Sequence, residues 1–212
     1  SHKRSSGVIV CNKMIEVLIP TLNEAETISN ITSVVDEGLQ RYFPYLPSRI
    51  VNIDSNSTDT TIKKFTNTKT VSDKVSLVCP KGLTGKGYGI FEGLKHAQGN
   101  DARYVLMLDS DLRSASPEWI KMLLNPLIKG NVGLSAPIYT RNRYEGNGTN
   151  HFSSPLIYAC FGINFLQPIA GDFAFNRDVV DQVVTNMRNP SDFQYGVDSV
   201  ITTTTLVGKL GL

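Results

Sequence analysis

An α/β fold built on a mostly parallel sheet, with helices on both faces, is predicted by two observations. Short apolar runs alternate four times with segments of helical periodicity. Polar clusters stand directly after several of those runs, where the carboxyl ends of parallel strands would form one rim.

The elements follow in order. Ile15-Glu16-Val17-Leu18-Ile19 reads as the first strand, ended by Pro20, and Asn23 with Glu26 marks a helix start. Ile28, Ile31, Val35 and Leu39 then recur at helical spacing. Ile50-Val51-Asn52-Ile53 is a second strand running into Asp54-Ser55-Asn56-Ser57-Thr58-Asp59, with a helix to about Phe65. Val75-Ser76-Leu77-Val78 is a third strand, and a helix carrying Ile90, Phe91, Leu94 and Ala97 follows a loop over residues 82–87. Residues 104–108 form a fourth strand leading into Asp109-Ser110-Asp111. Ser116 caps the next helix with Pro117 at its first position, and Pro126 should kink or end it. Residues 132–139 read as a fifth strand, and residues 155–171 as a buried or interfacial segment.

Composition sets limits. A chain of 212 residues supports one sizeable core, so one domain is expected. A content of 41% hydrophobic and 19% charged residues excludes disorder, and a formal charge of +2 argues against a nucleic-acid binder. Cys11, Cys79 and Cys160 are odd in number and form no CxxC, which favours reduced core thiols over a disulfide framework or zinc cluster and fits a cytoplasmic compartment. No window approaches the roughly 20 apolar residues of a spanning helix. A membrane contact by residues 155–171 stays open.

Asp109-Ser110-Asp111 is the strongest local feature. Two carboxylates two residues apart at a strand end can share a hard divalent cation that also binds substrate phosphates. The plain alternative is an aspartate-capped turn. An aspartyl-nucleophile phosphatase would carry its DxD on the first strand, which here ends in Pro-Thr-Leu-Asn-Glu. Gly85-Lys86-Gly87 opens a helix, where glycines, free N–H groups and a lysine suit a diphosphate. Neither a P-loop nor a GxGxxG is present. Gly171-Asp172 and Gly196-Val197-Asp198 are turns or site residues. Arg141, Arg143, Tyr144 and Thr149 crowd a loop that is either plain surface or an anion- and hydroxyl-binding cover. His96 is expected on a helix surface.

The residues 17–28, Asp54-Ser55-Asn56-Ser57-Thr58-Asp59-Thr60-Thr61, Gly85-Lys86-Gly87-Tyr88-Gly89, Asp109-Ser110-Asp111 and the Ser116-Pro117-Glu118-Trp119-Ile120 helix start together resemble the GT-A glycosyltransferases of the family-2-like group. Gln167-Pro168-Ile169-Ala170-Gly171-Asp172-Phe173 and Tyr195-Gly196-Val197-Asp198 resemble the branch containing mannosylglycerate synthases and glucosyl-phosphoglycerate synthases. The resemblance covers about residues 15–207. It implies a Rossmann-like GT-A sheet and a nucleotide-diphosphate sugar, UDP- or GDP-linked, held by Pro20, Thr21, Leu22, Asn23, Glu24, Asp54, Lys86, Asp109, Ser110 and Gly171. It implies Mg2+ or Mn2+ on Asp109 and Asp111, and Asp109, Asp172 and Asp198 as catalytic candidates beside the transferred sugar. Arg141, Arg143 and Thr149 would meet the acceptor, which is small or lipid-linked.

Residues 1–14 are expected to be an extension and 15–212 one domain, with a nucleotide half to about 111 and an acceptor half beyond. Family members usually supply a metal-ligating histidine after the stretch matching Asp198, and no histidine follows His151. The expectation is that either a C-terminal piece is missing or the site is incomplete. The resulting expectation is a metal-dependent, retaining hexosyltransferase, with a homodimer left open. Rivals are an inverting polyprenyl-phosphate sugar synthase, a nucleotidyltransferase, whose Gly-rich loop after the first strand is missing, and a non-catalytic sugar-nucleotide-binding module.

Overall fold

The computed structural model describes residues 13–82, 85–130, 132–139, 148–187 and 196–212. Its strands are β1 (Ile15–Thr21), β2 (Ser48–Asp54), β3 (Asp73–Val78), β4 (Tyr104–Met107), β5 (Leu134–Ser135) and β6 (Phe173–Asn176). The helices are α1 (Ile28–Tyr42), α2 (Thr61–Asn67), α3 (Lys86–Gly99), α4 (Pro117–Ile128), α5 (Ser154–Phe161), α6 (Arg177–Asn186) and α7 (Val197–Val207). The six strands form one sheet in the order β3-β2-β1-β4-β6-β5. β1 to β4 run parallel, as expected, while β6 lies antiparallel to both β4 and β5.

Strand alternation sorts the core into two layers. Leu18, Val51, Ile53, Val105, Met107, Phe173 and Phe175 point to one face, against α3, α6 and α7. Ile15, Val17, Ile19, Ile50, Leu106 and Ala174 point to the other, against α1 and α4. The central strands therefore read as continuous apolar runs, as parallel strands buried on both faces should.

The structure corrects several expectations. β1 does not stop at Pro20 but continues to Thr21, paired with Asp54. Thr21 O accepts from Ser55 N and Leu18 O from Leu108 N, so Pro20 faces the β4 side. Lacking an N–H, it ends the ladder there, and the chain after Leu108 is free to splay away. The helix after Asn23 begins at Ile28, because Asn23 takes a left-handed backbone (φ 58) and belongs to a loop. The expected strand over 132–139 is only Leu134–Ser135, at an edge, and β6 takes the place beside β4. α4 passes through Pro126 and ends two residues later at Ile128, with Ser116 Oγ accepting from Trp119 N at 3.4 Å as its cap.

Of the two readings of residues 155–171, buried or interfacial, a wholly buried segment is excluded: Ile157, Gln167 and Ala170 are buried, but Leu156, Tyr158, Ile163 and Leu166 are exposed. Cys79 is a core thiol but Cys160 is exposed, and Cys11 lies outside the described residues. His96 is half-buried on α3 and not free on its surface. Its Nδ1 stands 3.2 Å from the carboxylate of fully buried Glu16, which also accepts from Arg49 at 3.0 Å. Among the described residues no helix is long and apolar enough to cross a membrane.

Candidate active site

The carboxyl ends of β1, β2 and β4 and the start of α3 enclose a cleft of about 320 Å³. Pro20, Thr21, Leu22, Glu24, Lys86, Asp109, Ser110 and Asp111 line it, all anticipated from the sequence, together with Ser55 and Gly85. Gly85 has φ 125, open to glycine but rarely to other residues. That turn starts α3 directly at the cleft, and the first-turn N–H groups of a helix have no intrahelical partner.

The β1 and β2 loops are built as one unit. Asn23 N donates to Ser57 Oγ and Thr58 N to Asn23 Oδ1, both at 2.8 Å. Glu24 N donates to Thr61 Oγ1 at 2.8 Å and Ala25 N to Asp59 Oδ2 at 3.1 Å. The Asp59 carboxyl is held below its usual range by the Thr61 hydroxyl first and by backbone N–H groups besides. Asp54 is fully buried, accepting from Ser57 N at 2.8 Å and from Thr21 Oγ1 at 3.3 Å. It fastens the loop from beneath and does not line the cleft, so its expected contact with the nucleoside has no counterpart in this geometry. Asn23 too is spent on the clamp.

Lys86 Nζ stands 2.7 Å from Asp109 Oδ1. Burial works to lower the Lys86 ammonium, but Asp109, Asp198 and Asp172 outweigh it and raise the pKa. Lys86 thus has its charged form favoured at the head of α3. Gly171 closes on the other oxygen of Asp109: a Cβ there would lie 1.8 Å from Oδ2. Asp172 is 1% exposed, and its Oδ2 accepts from Tyr139 Oη at 2.7 Å and from Trp119 Nε1 at 3.2 Å. It sits behind Asp109 and not on the cleft wall. Trp119 and Tyr139 were not anticipated as site residues; the signal was the chain's single tryptophan at a capped helix start beside the rim.

Asp198 lies in the first turn of α7, with Oδ1 buried and without a hydrogen-bond partner among the described residues. Burial first, opposed by Lys86 and aided by Asp109 and Asp172, pushes its carboxyl up to about 6. Thr149 is buried and does not line the cleft. Arg141, Arg143 and Tyr144 lie outside the described residues.

Asp109 and Asp111 both reach the cleft, so their oxygens fit a hard cation that takes one or two carboxylates and completes its shell from substrate phosphate and water. Among the described residues no group of three or more His, Cys, Asp or Glu side chains is arranged to hold a metal.

Comparisons with known proteins agree with this geometry. A family model described as glycosyl transferase family 2 matches residues 16–188. The glucosyl-3-phosphoglycerate synthase of Mycolicibacterium paratuberculosis is 28% identical over 189 residues, covering 81% of this chain and 55% of the relative. That of Mycolicibacterium smegmatis is 28% identical over 185 residues, covering 81% and 59%. The chain therefore spans little more than half the length of these curated relatives. A crystal structure of the Mycobacterium tuberculosis glucosyl-3-phosphoglycerate synthase, in complex with Mn2+, UDP and phosphoglyceric acid, superposes with a TM-score of 0.71. It is 23% identical, over 92% of this chain and 65% of that one, and shares the fold. A sheet of this order, a DxD rim and a family model spanning most of the sequence lead to one conclusion: the chain belongs to glycosyl transferase family 2.

Proposed function

We propose that this chain binds a uridine diphosphate sugar in the cleft and transfers its hexosyl group to a small phosphorylated hydroxy acid of the phosphoglycerate kind, with Mn2+ or Mg2+. The convergence of Lys86, Asp109 and Asp111 on one wall of a cleft otherwise framed by the β1 loop carries the reading. The choice of donor, acceptor and metal is supported by the glucosyl-3-phosphoglycerate synthases that resemble it.

Asp109 and Asp111 would hold the cation, which when bound supplies positive charge to the diphosphate as it leaves. Lys86 donates to the same phosphate oxygens, and the N-terminus of α3 adds its partial positive charge. Pro20, Thr21, Leu22 and Ser55 shape the pocket for the nucleoside. Asp198 orients the acceptor and the sugar. We further infer retention of the anomeric configuration, the outcome implied by the resemblance of the 167–172 stretch.

A second reading has one observation in its favour. A buried carboxylate at about 6 is poised near neutral pH, which suits a general base and hence inversion. Calorimetric titration with UDP and with GDP, each with and without Mg2+, tests the donor. Binding of UDP that requires Mg2+ is expected, and binding of neither nucleotide overturns the donor assignment. Proton NMR of the first-formed product from UDP-α-glucose separates the stereochemical readings: an α-linkage supports retention and a β-linkage makes Asp198 the base.

A further inference from the structure

Asp172 is buried behind the rim, and its surroundings are specific. Two aromatic residues from different elements converge on one of its oxygens. Trp119 comes from the first turn of α4, and Tyr139 follows β5. Their rings stack with centroids 5.8 Å apart and planes 29° apart. The indole N–H and the phenol O–H both donate to Oδ2. The other oxygen, Oδ1, is buried and has no hydrogen-bond partner among the described residues.

A carboxylate with two donors on one oxygen is held in one rotamer. Burial pushes Asp172 up, as does the charge of Asp109, while Tyr139, Trp119 and the Asp109 amide hold it down. The residue before it, Gly171, packs directly on the Asp109 carboxylate. Gly171 thus links Asp172 along the chain to the carboxylate of Asp109, the partner of Lys86.

We propose that Trp119 and Tyr139 are positioning residues for the transfer reaction: together they pin Asp172, and the pinned Gly171-Asp172 unit sets where the Asp109 carboxylate stands. The proposal rests on the reading of Asp109 as a donor-site residue. Asp172 itself, 1% exposed, acts from behind the rim and not by touching the donor.

The test uses the fact that Trp119 is the chain's single tryptophan, so the protein gives one indole N–H resonance in a heteronuclear NMR spectrum. Asp172→Asn should shift that resonance and speed its exchange with water, and Asp109→Asn should shift it without any ligand present. Mg2+ with UDP should shift it in the unsubstituted protein and leave it unmoved in Asp172→Asn. In turnover, Tyr139→Phe and Trp119→Phe keep a stacked ring and lose one donor each. Each should lower kcat by about tenfold with the donor KM nearly unchanged, since small displacements of a reacting group are costly. Neither should lower kcat further in an Asp172→Asn background.

An indole resonance indifferent to Asp109→Asn overturns the positioning, as do losses that multiply in the Asp172→Asn background. Absence of any sugar transfer overturns the functional reading alone, because the response of the indole to Asp109→Asn is read without turnover.

Discussion

Gly171 meets Asp109 so closely that a Cβ on Gly171 would stand 1.8 Å from Asp109 Oδ2. Its φ is not in the left-handed region, so the need for glycine comes from this contact and not from the backbone. Gly171→Ala should therefore displace the carboxylate that pairs with Lys86. The expected outcome is a loss of activity of about a hundredfold and a stability loss of about 1–3 kcal/mol from overpacking. Gly99→Ala, at the end of α3 with open space around it, serves as the control and should leave both unchanged or slightly raise stability. Chemical denaturation and initial rates on the two variants check this.

Asp54 gives a prediction about stability more than binding. Its buried carboxylate accepts from Ser57 N and Thr21 Oγ1. Asp54→Ala takes the acceptor from Ser57 N, while Thr21 Oγ1 keeps Asn52 Oδ1 at 2.7 Å, and should cost about 1–3 kcal/mol, measured by urea unfolding. An unchanged unfolding midpoint accompanied by weaker UDP binding would instead give Asp54 the direct nucleoside contact expected from the sequence.

Asp198 sets a pH dependence whose sign follows from its raised pKa. The folded state holds this proton more tightly than the unfolded chain, for which the ordinary value is 3.8. The stability that proton binding contributes is present below that value and is lost as pH rises through about 6. Asp198→Asn removes the titration. Measured in a chelator, its melting temperature should exceed that of the unsubstituted protein at pH 8, a gain of about 1–3 kcal/mol in stability. The gain should vanish near pH 4; an equal gain at both pH values would contradict the assignment.

Much of the sheet was legible because its parallel strands are buried on both faces and so stand out as apolar runs ending in polar clusters. The strand β6 was not. Its four residues Phe-Ala-Phe-Asn follow Gly171-Asp172, which reads as a turn, and so short a run carries no period. The expected strand over 132–139 shrank to two residues because β6, not that segment, pairs with β4. Asn23 looked like a helix cap, yet its side chain serves the neighbouring loop, a long-range contact to Thr58 that no local spacing announces. The rim residues Lys86, Asp109, Ser110 and Asp111 were legible because motif and strand end coincide. Asp54 and Asp172 carried the right chemistry in the sequence, but whether a carboxylate faces the cleft or supports it from behind depends on packing.

The central claim is that Asp109 and Asp111 form the metal-dependent donor rim of a sugar transferase. The most direct measurement is product formation from UDP-glucose and 3-phosphoglycerate, followed with Mn2+ or Mg2+ present, with chelator, and in Asp111→Asn. The amide is a far poorer ligand for a hard cation than a carboxylate. Transfer that requires the metal and falls by at least about a hundredfold in Asp111→Asn is the expected result. Turnover equal in chelator and in Asp111→Asn, or no product under any of these conditions, would contradict the account.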